Sequence, residues 1–96
     1  MCIYNKSVTY GWDENKREAN IAKHGVDFAH AEWFDWSLAF IVPDARRNYG
    51  EPRYIAFGPI NGRLHAMVFT TRSSTIRIIG LRKANPREEK RYEEKA

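Results

Sequence analysis

Asn61-Gly62 lies between two runs of β-forming residues, and no other dipeptide in the chain restricts the fold as strongly. Asn-Gly tolerates two successive positive φ angles, so it favours a two-residue type I′ hairpin turn. A loop of two residues fixes the register. It pairs Ile60 with Arg63, Phe57 with Ala66, Ile55 with Val68 and Arg53 with Thr70. A third strand, Thr75 to Lys83, follows the polar stretch Thr71 to Ser74. Read as a four-residue loop, that stretch pairs Val68 with Arg77, Ala66 with Ile79 and Leu64 with Leu81. Side chains alternate across a pleated sheet, so each register assigns them to a face. Face A takes Ile55, Phe57, Leu64, Ala66, Val68, Ile79 and Leu81, with Arg53 and Arg77 near one end. Face B takes Tyr54, Ala56, Met67, Phe69, Ile76 and Ile78, with His65, Arg63 and Arg82 near the other end. Both faces are largely apolar and both need a cover.

The flanking segments supply candidate covers. Val8 to Trp12 reads as a short strand. Asp13 is a good N-cap for a helix over Glu14 to Lys23, and Gly25 is a natural stop just past His24. The apolar side of that helix is thin, only Ala19, Ile21 and Ala22, so tertiary contacts must hold it. Asp27 caps a second short helix running to Phe34, with Phe28, Ala31 and Phe34 on one side. Leu38 to Val42 reads as a strand closed by Pro43-Asp44, and residues 44–52 read as a loop. Asn85-Pro86-Arg87-Glu88 has the form of a helix start, with Asn as N-cap, Pro at N1 and Glu at N3. The helix that follows is almost wholly charged and reads as a solvated element tethered by Tyr92. The N-terminal helices suit one sheet face. The other would take the C-terminal helix or a partner chain.

Ninety-six residues provide one hydrophobic core and leave no room for a second, so residues 1–96 read as a single domain. The longest apolar run, Leu38 to Val42, is far below the roughly 18 residues of a membrane span. Met1 to Lys6 has no apolar signal-peptide core, and Cys2 is the only cysteine. A cytoplasmic protein without internal disulfides is the simplest expectation. The net charge of +4 is unevenly placed. Between residues 44 and 82 every basic residue is arginine: Arg46, Arg47, Arg53, Arg63, Arg72, Arg77 and Arg82, against only Asp44 and Glu51. The planar guanidinium suits bidentate phosphate contact and stays charged when partly buried. Nucleic acid and an acidic protein are the partner classes this charge fits, and a basic surface without a partner is the plain alternative.

No Gly-rich phosphate loop or dinucleotide fingerprint is present, and His24, His30 and His65 lack metal-ligand spacing. His24 fits the carbonyl end of its helix. The strand arginines need anions. Acids from the N-terminal helices or a phosphate would satisfy Arg53 and Arg77, while Arg63, Arg82 and Lys83 gather near His65. A ribonuclease without a metal needs cations for the phosphate and an acid or base for the 2′-hydroxyl proton. This residue set is compatible with that chemistry.

The stretch Trp12-Asp13-Glu14-Asn15-Lys16, then Asn20, then Lys23-His24-Gly25-Val26-Asp27-Phe28 resembles the N-terminal signature of BrnT-type toxins. Pro43-Asp44, Arg46 or Arg47, Tyr49-Gly50-Glu51, Arg53-Tyr54, Gly58, Gly62-Arg63 and Thr70 continue the resemblance. So do Ile76-Arg77-Ile78-Ile79, Arg82-Lys83-Ala84 and Glu88 to Tyr92. It runs from Tyr10 across nearly the whole chain. It implies an α+β, RelE-like fold, with N-terminal helices on a small antiparallel sheet and a short charged C-terminal helix. It implies the toxin half of a bacterial type II toxin–antitoxin pair, an endoribonuclease that cuts RNA and arrests growth. The implied partner is a BrnA-type antitoxin, through which alone the complex would reach operator DNA. No membrane and no cofactor or metal is implied. Carried onto this sequence, Arg53, Arg77 and Arg82 are the expected catalytic residues. Arg72, Lys83, Arg63 and His65 are the expected RNA-binding residues. The sequence departs from the family pattern at Gly80, where Ser is common, which removes a hydroxyl near these residues. Two other readings stand beside the enzyme: a non-enzymatic basic module that binds nucleic acid or an acidic protein, and an inactive toxin kept as a partner of the antitoxin.

Overall fold

The hairpin at Asn61-Gly62 forms the middle of the sheet. In the computed structural model Asn61 and Gly62 have φ of 51° and 82°, as a type I′ turn requires. They join β3 (Tyr54–Ile60) to β4 (Arg63–Arg72) in the expected register, with Ile60 opposite Arg63, Phe57 opposite Ala66 and Ile55 opposite Val68. The structure describes residues 8–46 and 50–95, so the readings that involve Cys2, Arg47 and Tyr49 lie outside it. Five strands form one sheet in the order β1-β5-β4-β3-β2, with β1 (Thr9–Trp12) and β2 (Phe40–Pro43) at its edges and β5 (Thr75–Lys83) between β1 and β4.

Three expectations about the sheet are corrected. It is mixed rather than antiparallel, because β1 runs parallel to β5, with Thr9 opposite Thr75 and Trp12 opposite Ile78. The chain between them is long enough to return β5 in the same direction, which a short hairpin connection cannot do. Leu38 belongs to a 3-10 turn, Trp36–Leu38, and β2 starts at Phe40. The stretch Thr71 to Ser74 is not a four-residue loop. β4 runs to Arg72 and β5 starts at Thr75, so the link is the two residues Ser73 and Ser74, with Ser73 at φ 54°.

The register of β5 shifts accordingly. Thr70 pairs with Arg77 and Phe69 with Ile78, but Val68 pairs with Gly80, which leaves Ile79 as an extra residue in a β-bulge. Beyond the bulge Leu81 pairs with Met67 and Arg82 with Ala66. Leu81 therefore lies on face B, where it is buried, and Arg82 lies on face A. Both are the reverse of the expected sides.

Face B is the core face. Ala56, Ile60, Met67, Phe69, Ile78 and Leu81 meet Val26, Phe28, Ala31 and Phe34 there. The second group comes from the loop and 3-10 helix that follow α1 (Glu14–His24). Edge-to-face rings extend the packing, with Trp36 at 4.7 Å from Phe34 and 5.5 Å from Phe69. Helix α1 does not dock through Ala19, Ile21 and Ala22, which are exposed. Its one buried residue is Asn20. The Asn20 amide donates to the carbonyls of Val26 (2.9 Å) and Leu81 (2.7 Å), and its Oδ1 accepts from the Leu81 N–H (3.2 Å). A side-chain amide thus pairs with the strand as a neighbouring backbone would.

The helix boundaries follow the local signals. Asp13 accepts from the Asn15 N–H at 2.8 Å, and Gly25 ends α1 at φ 72°. Asp13→Ala is expected to lower stability by about 0.5–2 kcal/mol, the usual loss for an N-cap. Urea unfolding measures it, with unchanged stability as the contrary result. Asn85 and Glu88 form a reciprocal capping box at the start of α2 (Pro86–Lys95): Glu88 N–H to Asn85 Oδ1 at 2.8 Å, and Asn85 N–H to Glu88 Oε1 at 3.0 Å. Helix α2 is more than a solvated tail. The Tyr92 hydroxyl donates to the Leu38 carbonyl at 2.6 Å, which holds the helix over face A.

Candidate functional site

Face A carries the strand arginines in an ordered pattern. One row across the sheet holds Phe40, Phe57, Ala66 and Arg82. The next holds Val42, Ile55, Val68 and Gly80. Strand alternation then places Arg53 beside Thr70, and Thr70 is opposite Arg77. The floor is thus apolar with arginine at both ends. From Arg53 to Phe57, in the row of Arg82, the strand advances roughly 13 Å.

Helix α2 lies over this floor and encloses a cavity of about 290 Å³, lined by Phe40, Val42, Ile55, Phe57 and Tyr92 together with Arg46, Arg82, Arg91 and Glu88. Arg82 is the best-positioned cation. Its two terminal nitrogens donate to the two Glu88 oxygens at 2.8 Å each, a fork that fits a carboxylate or a phosphate equally well. That bond, with the Arg82 charge behind it, holds the Glu88 carboxyl below its ordinary range. Arg46 makes a similar fork to Asp44, at 2.8 Å through both contacts, and the Asp44 side chain is fully buried. The guanidinium depresses the Asp44 carboxyl despite burial.

The expected site residues fall into separate groups. Arg53 and Arg72 both approach Glu51, at 3.8 and 3.3 Å. The acid that reaches Arg53 is therefore a loop residue two positions away rather than one from the N-terminal helices. For Arg77 no carboxylate lies within ion-pair distance among the described residues, and its side chain is half-buried at the Arg53 end of face A. Arg63 reaches the Ala84 carbonyl (3.4 Å) and Glu89 (3.8 Å) beside the hairpin tip. Lys83 is exposed and pairs in register with His65.

The expected cluster of Arg82 with His65 is not formed, because the bulge at Ile79 turns Arg82 to face A while His65 stays on the core face. His65 is 6% exposed, and its Nδ1 donates to the Arg63 carbonyl at 2.7 Å. Desolvation pushes its pKa down against the opposing hydrogen bond to Arg63, and the charges of Arg63 and Lys83 add to the lowering. His24 is lowered as well, by desolvation, then Lys23, then Arg82, so the imidazole that feels Arg82 is His24. Sequence reasoning missed Asp44, Glu88, Arg91 and Tyr92 as parts of the site. Pro43-Asp44 reads as a turn and Glu88 as a cap. The available signal was that Arg82 and Glu88 stand six positions apart across a strand end and a helix start.

These shifts set an acid dependence. Burial depresses the His65 pKa in the fold, so its contribution is full above its unfolded value of about 6.5 and declines as pH falls below it. Asp27, Asp44 and Glu88 are also depressed, so their contribution is full above ordinary carboxylate values and is lost as pH falls through their folded ones. The melting temperature is expected to fall in two stages, the first below about pH 6.5 and the larger below about pH 4. Glu88→Gln should make the second stage shallower, and a pH series of thermal melts tests both. An unchanged acid limb in that variant is the contrary result.

Among the described residues, no three His, Cys, Asp or Glu side chains are grouped so as to hold a metal ion, and no helix is long and apolar enough to cross a membrane. The family model described as the ribonuclease toxin BrnT of type II toxin–antitoxin systems matches residues 12–88. The crystal structure of the Brucella abortus ribonuclease toxin BrnT is similar to this fold with a TM-score of 0.66. The two are 35% identical over 81% of this chain and 97% of that one. Among curated proteins there is no match.

Proposed function

This chain belongs to the BrnT family of ribonuclease toxins of type II toxin–antitoxin systems, and from that premise we propose that face A is its RNA-cleaving surface. The observation that carries this reading is the arginine-edged apolar groove beneath α2. Arg82 at one end and Arg53 with Arg77 at the other are separated by more than one phosphate group, so they address different phosphates of one RNA strand. A guanidinium fork beside the scissile phosphate stabilises the negative charge that develops there during cleavage. His24, within the field of Arg82, is the candidate proton acceptor for the 2′-hydroxyl. His65 is turned into the core and plays no part in the transfer.

The cations are arginines, so charge stabilisation needs no metal ion. The protein acts as an endoribonuclease with a RelE-like arrangement, arrests growth in the cytoplasm and is neutralised by a BrnA-type antitoxin. Contact with operator DNA comes through the antitoxin. RNA cleavage by purified protein is expected to be the same with and without EDTA, and growth arrest on induction is expected to disappear when the antitoxin is co-expressed. Loss of cleavage in EDTA that a divalent ion restores would reverse the metal-free assignment. A second reading has one observation behind it. Arg53, Arg63, Arg72 and Arg82 all approach carboxylates of their own chain, as they would in a non-enzymatic or inactive basic module that serves only as the antitoxin's partner. Purified protein that binds antitoxin but leaves RNA intact would select it.

A further inference from the structure

We infer that the cavity beneath α2 receives one unpaired nucleotide of single-stranded RNA, its base against Phe57, Phe40 and Tyr92 and its phosphate on Arg82 in the place of Glu88. The inference deepens the ribonuclease reading by naming the form of RNA that the groove accepts, and it rests on that reading for the choice of ligand. Three observations carry it. The first is size: about 290 Å³ is near the lower end for ligand pockets and suits a single nucleotide rather than a helix. A base inside a duplex is stacked and paired, and it cannot enter a space roofed by a protein helix. Such recognition therefore selects unstacked bases, which proteins hold on aromatic rings.

The second observation is composition. Three aromatic rings line the cavity together with three arginines and one carboxylate, so the lining combines stacking faces with net positive charge. That charge is complementary to a phosphodiester chain. The third is the Arg82–Glu88 fork, where a carboxylate already occupies two donors aimed at an anion. A phosphate that takes this position releases Glu88, which keeps its capping bond to the Asn85 N–H.

The test uses a fluorescein-labelled ten-residue 2′-O-methyl oligoribonucleotide, which resists cleavage, alone and annealed to its complement. Fluorescence anisotropy is expected to show the single strand binding at least about tenfold more tightly than the duplex. Tyr92→Ala should weaken single-strand binding about 5- to 150-fold, the range of one base–aromatic stack. Tyr92→Phe keeps the ring and loses only the hydrogen bond to Leu38, so it should retain most of the binding that Tyr92→Ala loses. Glu88→Gln retains a capping side chain and should bind about 2- to 5-fold more tightly. Equal affinity for strand and duplex, or equal weakening in Tyr92→Ala and Tyr92→Phe, would overturn the assignment. Cleavage of native RNA, measured in parallel, separates the two readings. Cleavage with unaltered binding in Tyr92→Ala removes the nucleotide pocket and leaves the ribonuclease. Single-strand binding without cleavage does the opposite. Displacement of α2 by an acidic protein alone, with no oligonucleotide bound, overturns the pocket in favour of a protein-docking groove.

Discussion

Arg82→Ala is expected to reduce RNA cleavage about 10²- to 10³-fold, the usual loss when one donor to a developing oxyanion is removed. The same change at Arg77 should have a smaller effect, because Arg77 lies at the far end of face A and addresses a neighbouring phosphate rather than the scissile one. Arg53→Ala should resemble Arg77→Ala, since Arg53 lies at the same end of the face. The stability cost differs between the three. Arg82→Ala leaves Glu88 without its fork and should lower the melting temperature moderately, whereas Arg77→Ala breaks no ion pair among the described residues and should melt like the native protein. Growth arrest on induction and thermal unfolding, measured on one set of variants, separate catalysis from structure. Fully toxic, folded variants at all three arginines would move the active surface elsewhere.

Phe34→Ala is expected to cost about 3–5 kcal/mol, enough to remove a large part of the 5–15 kcal/mol that holds a domain of this size together. Phe34 is 1% exposed and sits where two other features converge. Its ring fills the space above Gly58, where an added Cβ would lie 2.7 Å from Phe34 Cζ, and it meets Trp36 edge-on. Its backbone bridges to Ile60 at the end of β3. Deleting the ring leaves a cavity between sheet and 3-10 helix that a glycine cannot fill. Urea denaturation gives the value directly, and a loss below about 1 kcal/mol would show that the core is anchored elsewhere. Gly58→Ala tests the same contact from the other side, since the new methyl group must displace the ring.

The elements of this fold were legible because their signals are local. The Asn61-Gly62 turn, the Asp13 and Asp27 caps, the Gly25 stop and the Asn85–Glu88 capping box each depend on residues at most a few positions apart. Each is present as read. The family was legible for a related reason, since its resemblance rests on short local stretches such as Lys23-His24-Gly25 and Arg82-Lys83-Ala84, inside the residues that the family model matches. The arrangement of the site was not legible. Ser73 takes a positive φ without a glycine or asparagine to signal it, so the β4–β5 turn looked two residues longer than it is. The bulge at Ile79 has no local signature either. It satisfies a condition set from a distance: Leu81 must enter the core against Met67 while its backbone meets Asn20, 61 residues away. A strand has a side-chain period of two, so one extra residue moves every later side chain to the other face. The sequence by itself thus determined which segments are strands and helices, and that arginine dominates the basic middle of the chain. Only the tertiary structure decided that Arg82 leaves His65 and joins Glu88 under α2, because burying Leu81 fixes the side on which its neighbour must emerge.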